Sequence, residues 1–281
     1  MKLQVALSLL VISLFLNNSY AENSTPDNCT QTNIQAKDAL ICQGRALAAK
    51  DDFSGALIKF KQAETKSADP FDKTIATLLM GRTYNALKQT EPAIASFQQT
   101  ILNARTAKNV AFERIAYNSI GGVYAENKQF TQALEAYMQG SKLAANDNER
   151  GESYENVALT YHNMNQHDLA LEYQLKAYLM HDTVGTLDQF AHTSIELGRY
   201  QALTKSYVSA EKTLNKIIKF AKDQGGAYYE AQGSYVLAKV KVATGDAAAA
   251  KTLVEYATSI AKSTNDKALE EEINQETQGL F

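Results

Sequence analysis

The sequence predicts an all-α chain, a solenoid of about six helix-turn-helix repeats closed by a C-terminal capping helix. Two patterns carry that expectation. A small residue is followed twelve positions later by alanine six times: Gly44 and Ala56, Gly81 and Ala93, Gly121 and Ala133, Ala158 and Ala170, Gly198 and Ala210, Ala238 and Ala250. Around these anchors, residues of matched size return at intervals of 3, 4 and 7, the spacings of helix faces. Composition agrees, with 3 prolines and 14 glycines in 281 residues and an abundance of the helix formers alanine, leucine, glutamine and lysine.

Residues 1–21 are read as a cleavable signal peptide. Lys2 supplies the positive start, Leu3 to Leu16 form an apolar run, and Ser19 and Ala21 place small residues before the cut. The alternative is a membrane anchor, but a run of roughly 14 falls short of the ~20 residues that span a bilayer. No later run reaches that length, so no membrane span is expected in the mature chain. Export predicts a periplasmic or secreted protein. Residues 22–36 then form an N-terminal extension holding Cys29, and Cys42 follows in the first repeat helix. An even pair in an oxidising compartment reads as one disulfide, the alternative being free or metal-binding thiols without other ligands nearby.

The repeats occupy residues 37–263. The large residues in register are Leu47, Tyr84, Tyr124 and Tyr161 after the small anchor, and Phe60, Phe97, Tyr137, Leu214 and Val254 after the alanine, with Gln174 as the exception. Small anchors let two helices approach, and the aromatics fill the wider gaps beside those contacts. Turn residues gather at Ser67 to Pro70, Asn146 to Asn148, Asp182 to Thr186, Asp223 to Gly226 and Ser263 to Asp266. Residues 264–281 are read as a capping helix and tail, with Leu269 and Ile273 one turn apart and Glu270, Glu271 and Glu272 on a solvated face.

The runs Ile120-Gly121-Gly122-Val123-Tyr124, Phe130 and Ala133-Leu134-Glu135-Ala136-Tyr137 resemble the tetratricopeptide repeat. Met80-Gly81, Tyr84, Ala93-Ile94 and Phe97 match likewise, as do Val157-Ala158, Tyr161, Ala170-Leu171 and Ala177. The anchors recur every 37 or 40 residues, longer than the family's common period of about 34, so the resemblance is to its longer-repeat members. It implies a right-handed solenoid whose first helices line a concave groove. It also implies that the residue after each small anchor faces that groove: Arg45, Arg82, Gly122, Leu159, Arg199 and Lys239. Helical spacing adds Ile41, Leu78, Asn118, Glu155, Ile195 and Tyr235 on one side, and Asn85 and His162 on the other.

The candidate groove residues are therefore Arg45, Arg82, Asn85, Asn118, Glu155, His162, Arg199, Tyr235 and Lys239. Guanidinium groups bind carboxylates through paired hydrogen bonds, and asparagine can hold a peptide backbone. The alternative is that the cations pair with neighbouring helices or are solvated. The family's known carboxylate clamp uses a lysine where this chain has Ile41 and Leu78, so that clamp is absent.

A net charge of −3 argues against nucleic acid, which rewards basic surfaces. Phosphate loops, dinucleotide glycines, zinc-protease pairs and nucleophile elbows are missing from the sequence. His162, His167, His181 and His192 occupy unrelated repeat positions and are read as solvated or capping. No catalytic residue, metal site or cofactor is expected. The function that follows is a non-enzymatic scaffold for a protein or peptide segment. The alternatives are a small-molecule or signal-peptide sensor working with a separate output partner, and an enzyme of unrecognised type.

Overall fold

Nine of the twelve turns between the described helices are built on one residue in the left-handed region. In the computed structural model, Asp51, Lys88, Lys108, Lys128, Asn165, Lys205 and Asn265 take φ between 54° and 62°, and Gly225 and Gly245 do the same at 73° and 88°. Each lies two positions before a helix. The following amide reaches back to the carbonyl five residues earlier, as in Gln89 N to Tyr84 O at 2.9 Å and Ser206 N to Gln201 O at 2.8 Å. This satisfies carbonyls that a helix end leaves orphaned.

Residues 36–281 are described, and among them are thirteen helices and no strand. In chain order they are α1 (Ala36–Ala48), α2 (Phe53–Lys66), α3 (Pro70–Ala86), α4 (Thr90–Thr106), α5 (Val110–Glu126), α6 (Phe130–Lys142) and α7 (Asp147–Asn163). They continue as α8 (His167–Val184), α9 (Leu187–Leu203), α10 (Tyr207–Asp223), α11 (Ala227–Ala243), α12 (Ala247–Ser263) and α13 (Lys267–Thr277). The architecture is the expected all-α repeat solenoid. The signal peptide read at 1–21, the extension as far as residue 35, and Cys29 of the expected disulfide lie outside the described residues.

The two repeat lengths have a local cause. First helices α3, α5, α7, α9 and α11 all have 17 residues. Second helices have 17 or 18 in the longer units, but 14 in α2 and 13 in α6. The missing residues are one turn at the end of the second helix. After α2 and α6 the chain enters the next helix through extended N-caps, Asp69 and Asn146, whose side chains accept from Phe71 and Glu149 amides. Thr186 closes a full capping box with Gln189 before α9.

The chain forms two compact bodies, divided between Ser119 and Ile120. Within both, the anchor alanines Ala56, Ala93, Ala133, Ala170, Ala210 and Ala250 are completely buried. The small anchors do something more specific than admit a neighbouring backbone. In the first body, a Cβ on Gly44 or Gly81 would run into the ring of Phe60 or Phe97. In the second body, Gly121 faces Tyr137 and Gly198 faces Leu214 in the same way. Each glycine thus receives the large side chain sixteen residues later, from the second helix of its own pair. Where that position holds the slimmer Gln174 or Val254, the anchor is Ala158 or Ala238. Size is conserved across the pair, as close packing demands.

Candidate functional site

In the first body, Arg45 of α1 and Arg82 of α3 both follow a glycine buried against the ring of its paired second helix, the register position expected on the first-helix face. Both are half-buried. Burial lowers the pKa of each below the usual arginine value, and for Arg82 the charge of Arg45 lowers it further. Two cations close enough to repel each other are thus held partly out of water. Among the described residues neither forms an ion pair, whereas Arg105 has Glu113 at 2.8 Å and Arg150 has Asp147 at 2.6 Å. Asn85 lies one turn beyond Arg82 and is half-buried and engaged. Asn118 of α5 carries a buried Oδ1 with no hydrogen-bond partner, an acceptor left open at some cost.

In the second body the cations of the corresponding stripe are neutralised. Arg199 of α9 meets Glu196 Oε1 at 3.1 Å and Glu276 Oε2 at 3.3 Å, and Lys239 of α11 binds the same Glu276 oxygen. Burial would weaken the charge on Arg199, but Glu196 and the neighbouring Tyr235 and Glu276 outweigh it and keep the guanidinium charged. Burial also pushes Glu276 up, yet the hydrogen bond from Lys239 and the charge of Arg199 hold it below the usual carboxylate range. Glu196 is held low in the same way, with Arg199 and His192 overcoming its burial.

Tyr235 is 1% exposed and presents no ring to a ligand; its hydroxyl donates to Glu272 Oε1 at 2.6 Å. Tyr228 and Gln232 also donate to Glu272, at 3.1 and 3.2 Å. Glu272 is therefore bonded rather than solvated, contrary to the sequence expectation. The reason is that α13 packs as one more first helix, with Leu269 and Ile273 in the core, so its carboxylates turn onto α11.

His162 of α7 stands 3.4 Å from His167, nitrogen to nitrogen, and its ring lies 5.3 Å from that of Tyr200. Burial and then the charge of His167 lower its pKa. Glu155 accepts a hydrogen bond from Thr193. His181 was expected to be solvated or capping, but it is 1% exposed. It occupies the repeat position of Ala104, Ala221 and Ala261, and that departure was the available signal. No three His, Cys, Asp or Glu side chains are gathered for a metal ion among the described residues. No described helix is long and apolar enough to cross a membrane.

The tetratricopeptide-repeat family model matches residues 115–147 and 151–180. The apo form of RapI is similar in structure over 88% of this chain and 97% of its own, with a TM-score of 0.64 and 14% identity. BtubC (BKLC) from P. vanneervenii is similar over 83% of this chain and 94% of its own, with a TM-score of 0.66 and 14% identity. A Rap protein complexed with Competence and Sporulation Factor is similar over 88% and 76%, with a TM-score of 0.57 and 14% identity. Identities this low establish the shared fold alone. No curated protein matches the chain.

Proposed function

We propose that this tetratricopeptide-repeat protein is a non-enzymatic, exported scaffold that binds a protein or peptide segment along the first-helix face of its N-terminal body. The observation that carries the reading is the contrast between the two bodies. Arg199 and Lys239 share the Glu276 carboxylate, whereas Arg45 and Arg82 are half-buried, repel each other and have no ion-pair partner among the described residues. A cation kept partly dry without a counterion costs free energy that an incoming carboxylate would recover. Repeat folds of this kind offer long surfaces in which a few anchors carry most of the affinity. The likeness to a Rap protein complexed with Competence and Sporulation Factor supports a binding role. Periplasmic or secreted placement rests on the charged start and apolar run of residues 1–21.

The test is co-purification from the native host with wild-type bait and with the double variant Arg45→Ala/Arg82→Ala, both checked for unchanged helicity. A partner retained by wild type and lost by the double variant is expected. A partner held equally by both would contradict the placement of the site, and a small molecule found instead of a protein would favour the sensor reading.

A further inference from the structure

Second helix α8 departs from its counterparts at two buried positions. Gln174 stands where others carry Phe60, Phe97, Tyr137, Leu214 and Val254, and His181 stands where the long helices carry Ala104, Ala221 and Ala261. Both departures converge on α9. Gln174 Nε2 donates to the Thr193 carbonyl at 3.0 Å, and His181 Nδ1 lies 2.7 Å from Thr193 Oγ1. Thr193 Oγ1 in turn bonds Glu155 Oε1 of α7, and His181 Nε2 lies 3.3 Å from the Asn148 carbonyl at the start of α7. Room for the imidazole comes from Gly151, where any Cβ would collide with the ring; α9 and α11 carry Ala191 and Ala231 at that position. Histidine and glycine thus form a matched exchange for the usual pair of alanines. Thr193 is wholly buried and Gln174 is 2% exposed, so this polar chain replaces apolar packing at one layer of the second body.

Counting donors shows what the chain requires. The Asn148 carbonyl only accepts, so His181 Nε2 must carry hydrogen. If Glu155 is ionised, Thr193 donates to it, and His181 Nδ1 must then also carry hydrogen. If Glu155 is protonated, it donates to Thr193, which donates onward to Nδ1. The two arrangements hold the same number of protons and differ only by transfer through the threonine hydroxyl. Removing one proton leaves at least one of the three hydrogen bonds unmade.

We propose that Glu155, Thr193 and His181 form a proton-gated latch, in which one shared proton ties α8 to α7 and α9 and its loss at alkaline pH releases the tie. The surroundings agree. Burial raises the Glu155 carboxyl, opposed by the charges of His192 and His181 and by the Thr193 hydrogen bond, while Glu196 adds to the rise. The other charged groups nearby are partnered: Glu196 with Arg199 on α9, Asp182 of α8 with Lys216 of α10 at 3.4 Å, and Glu152 of α7 with Gln189. His192 is exposed on α9. In the unfolded chain the carboxyl and imidazole titrate near 4.3 and 6.5, so the pair loses its last proton above about pH 6.5. The folded layer keeps one there. Its stabilisation is therefore complete between about pH 4.3 and 6.5, where the unfolded pair and the folded layer each hold one proton, and is lost as pH rises beyond that window, by up to about tenfold in the folding constant per pH unit.

The decisive variant is Glu155→Gln. Its amide can donate to Thr193, which donates to His181 Nδ1 while Nε2–H donates to Asn148, so the chain closes with no titrating proton. Thermal unfolding from pH 5.5 to 9 should show a wild-type midpoint that falls above pH 6.5. Glu155→Gln should lose that slope and exceed wild type at pH 8.5. The double variant Gly151→Ala/His181→Ala restores the alanine pair of the neighbouring repeats and should also be flat, whereas His192→Gln should keep the wild-type slope. A wild-type slope retained in Glu155→Gln, or abolished by His192→Gln, would overturn the latch.

Discussion

Replacing Gly81 by alanine separates two accounts of why glycine recurs at the repeat anchors. On helix propensity alone the change should stabilise α3, because glycine inside a helix costs about 0.5–1 kcal/mol relative to alanine. The packing says otherwise. A Cβ at residue 81 would lie 2.5 Å from Phe97 Cε1 and 2.6 Å from Cδ1, about an ångström inside ordinary carbon contact. Phe97 is 2% exposed and has no room to turn away. Overpacking of this size costs about 1–3 kcal/mol, which outweighs the propensity gain and leaves a net loss of about 0.5–2 kcal/mol. For a chain of this length that is a fall of roughly 1–8 °C in the melting midpoint. The compensating change is Phe97→Val, which copies the Ala238 and Val254 pair of α11 and α12. Alone it opens a cavity; combined with Gly81→Ala it should recover at least about 0.5 kcal/mol relative to the sum of the single changes. Differential scanning calorimetry on the four proteins closes the cycle. A Gly81→Ala protein as stable as wild type or more so, with additive effects in the double variant, would refute the pairing of glycine with ring.

Ala133, completely buried in α6, should tolerate leucine poorly, at a cost of about 1–3 kcal/mol seen as a lower melting midpoint. Glu276→Gln leaves Arg199 and Lys239 facing each other without a carboxylate and should destabilise by about 1–3 kcal/mol at neutral pH. Because the folded Glu276 titrates below its ordinary value, its stabilisation is present above about pH 4.3 and disappears as pH falls through the lowered value; acid titration of wild type and variant should therefore converge. Thiol counting on natively exported protein should find no free cysteine, since a bridge between Cys29 and Cys42 stabilises by about 3 kcal/mol in the chain-entropy description. Two reactive thiols in that material would contradict it.

The repeat was legible because its signal is periodic and redundant: six glycine or alanine anchors in step with six alanines fix the register even where Gln174 breaks the pattern. The turns were less legible. Lysine fills the left-handed position at 88, 108, 128 and 205, where glycine or asparagine is the usual signal, so only the turns carrying glycine, proline, asparagine or aspartate stood out. Arg45 and Arg82 followed from register, and so did the stripe containing Arg199 and Lys239. Whether a cation on that stripe is free depends on long-range partners, and Glu276 lies 77 residues from Arg199. Tyr235 failed as a lining residue for a similar reason: position gives its direction, but α13 covers it. The His181 layer was visible only as two breaks in a periodic pattern, at Gln174 and His181, whose meaning needed Gly151 and Thr193 in three dimensions.

The proposed binding by the N-terminal body runs through Arg45 and Arg82, whose guanidinium groups form no ion pair among the described residues. Its most direct measurement is the affinity of the co-purified partner for wild type, Arg82→Ala and the α6 control Lys142→Ala, titrated at low and high salt. Arg82→Ala should weaken binding by more than about fivefold, corresponding to an anchor worth more than about 1 kcal/mol, and should flatten the salt dependence. Lys142→Ala should bind as wild type does, with folding unchanged in both variants to within about 0.5 kcal/mol. Equal affinities for the two variants, with binding indifferent to ionic strength, would show that Arg45 and Arg82 do not carry recognition.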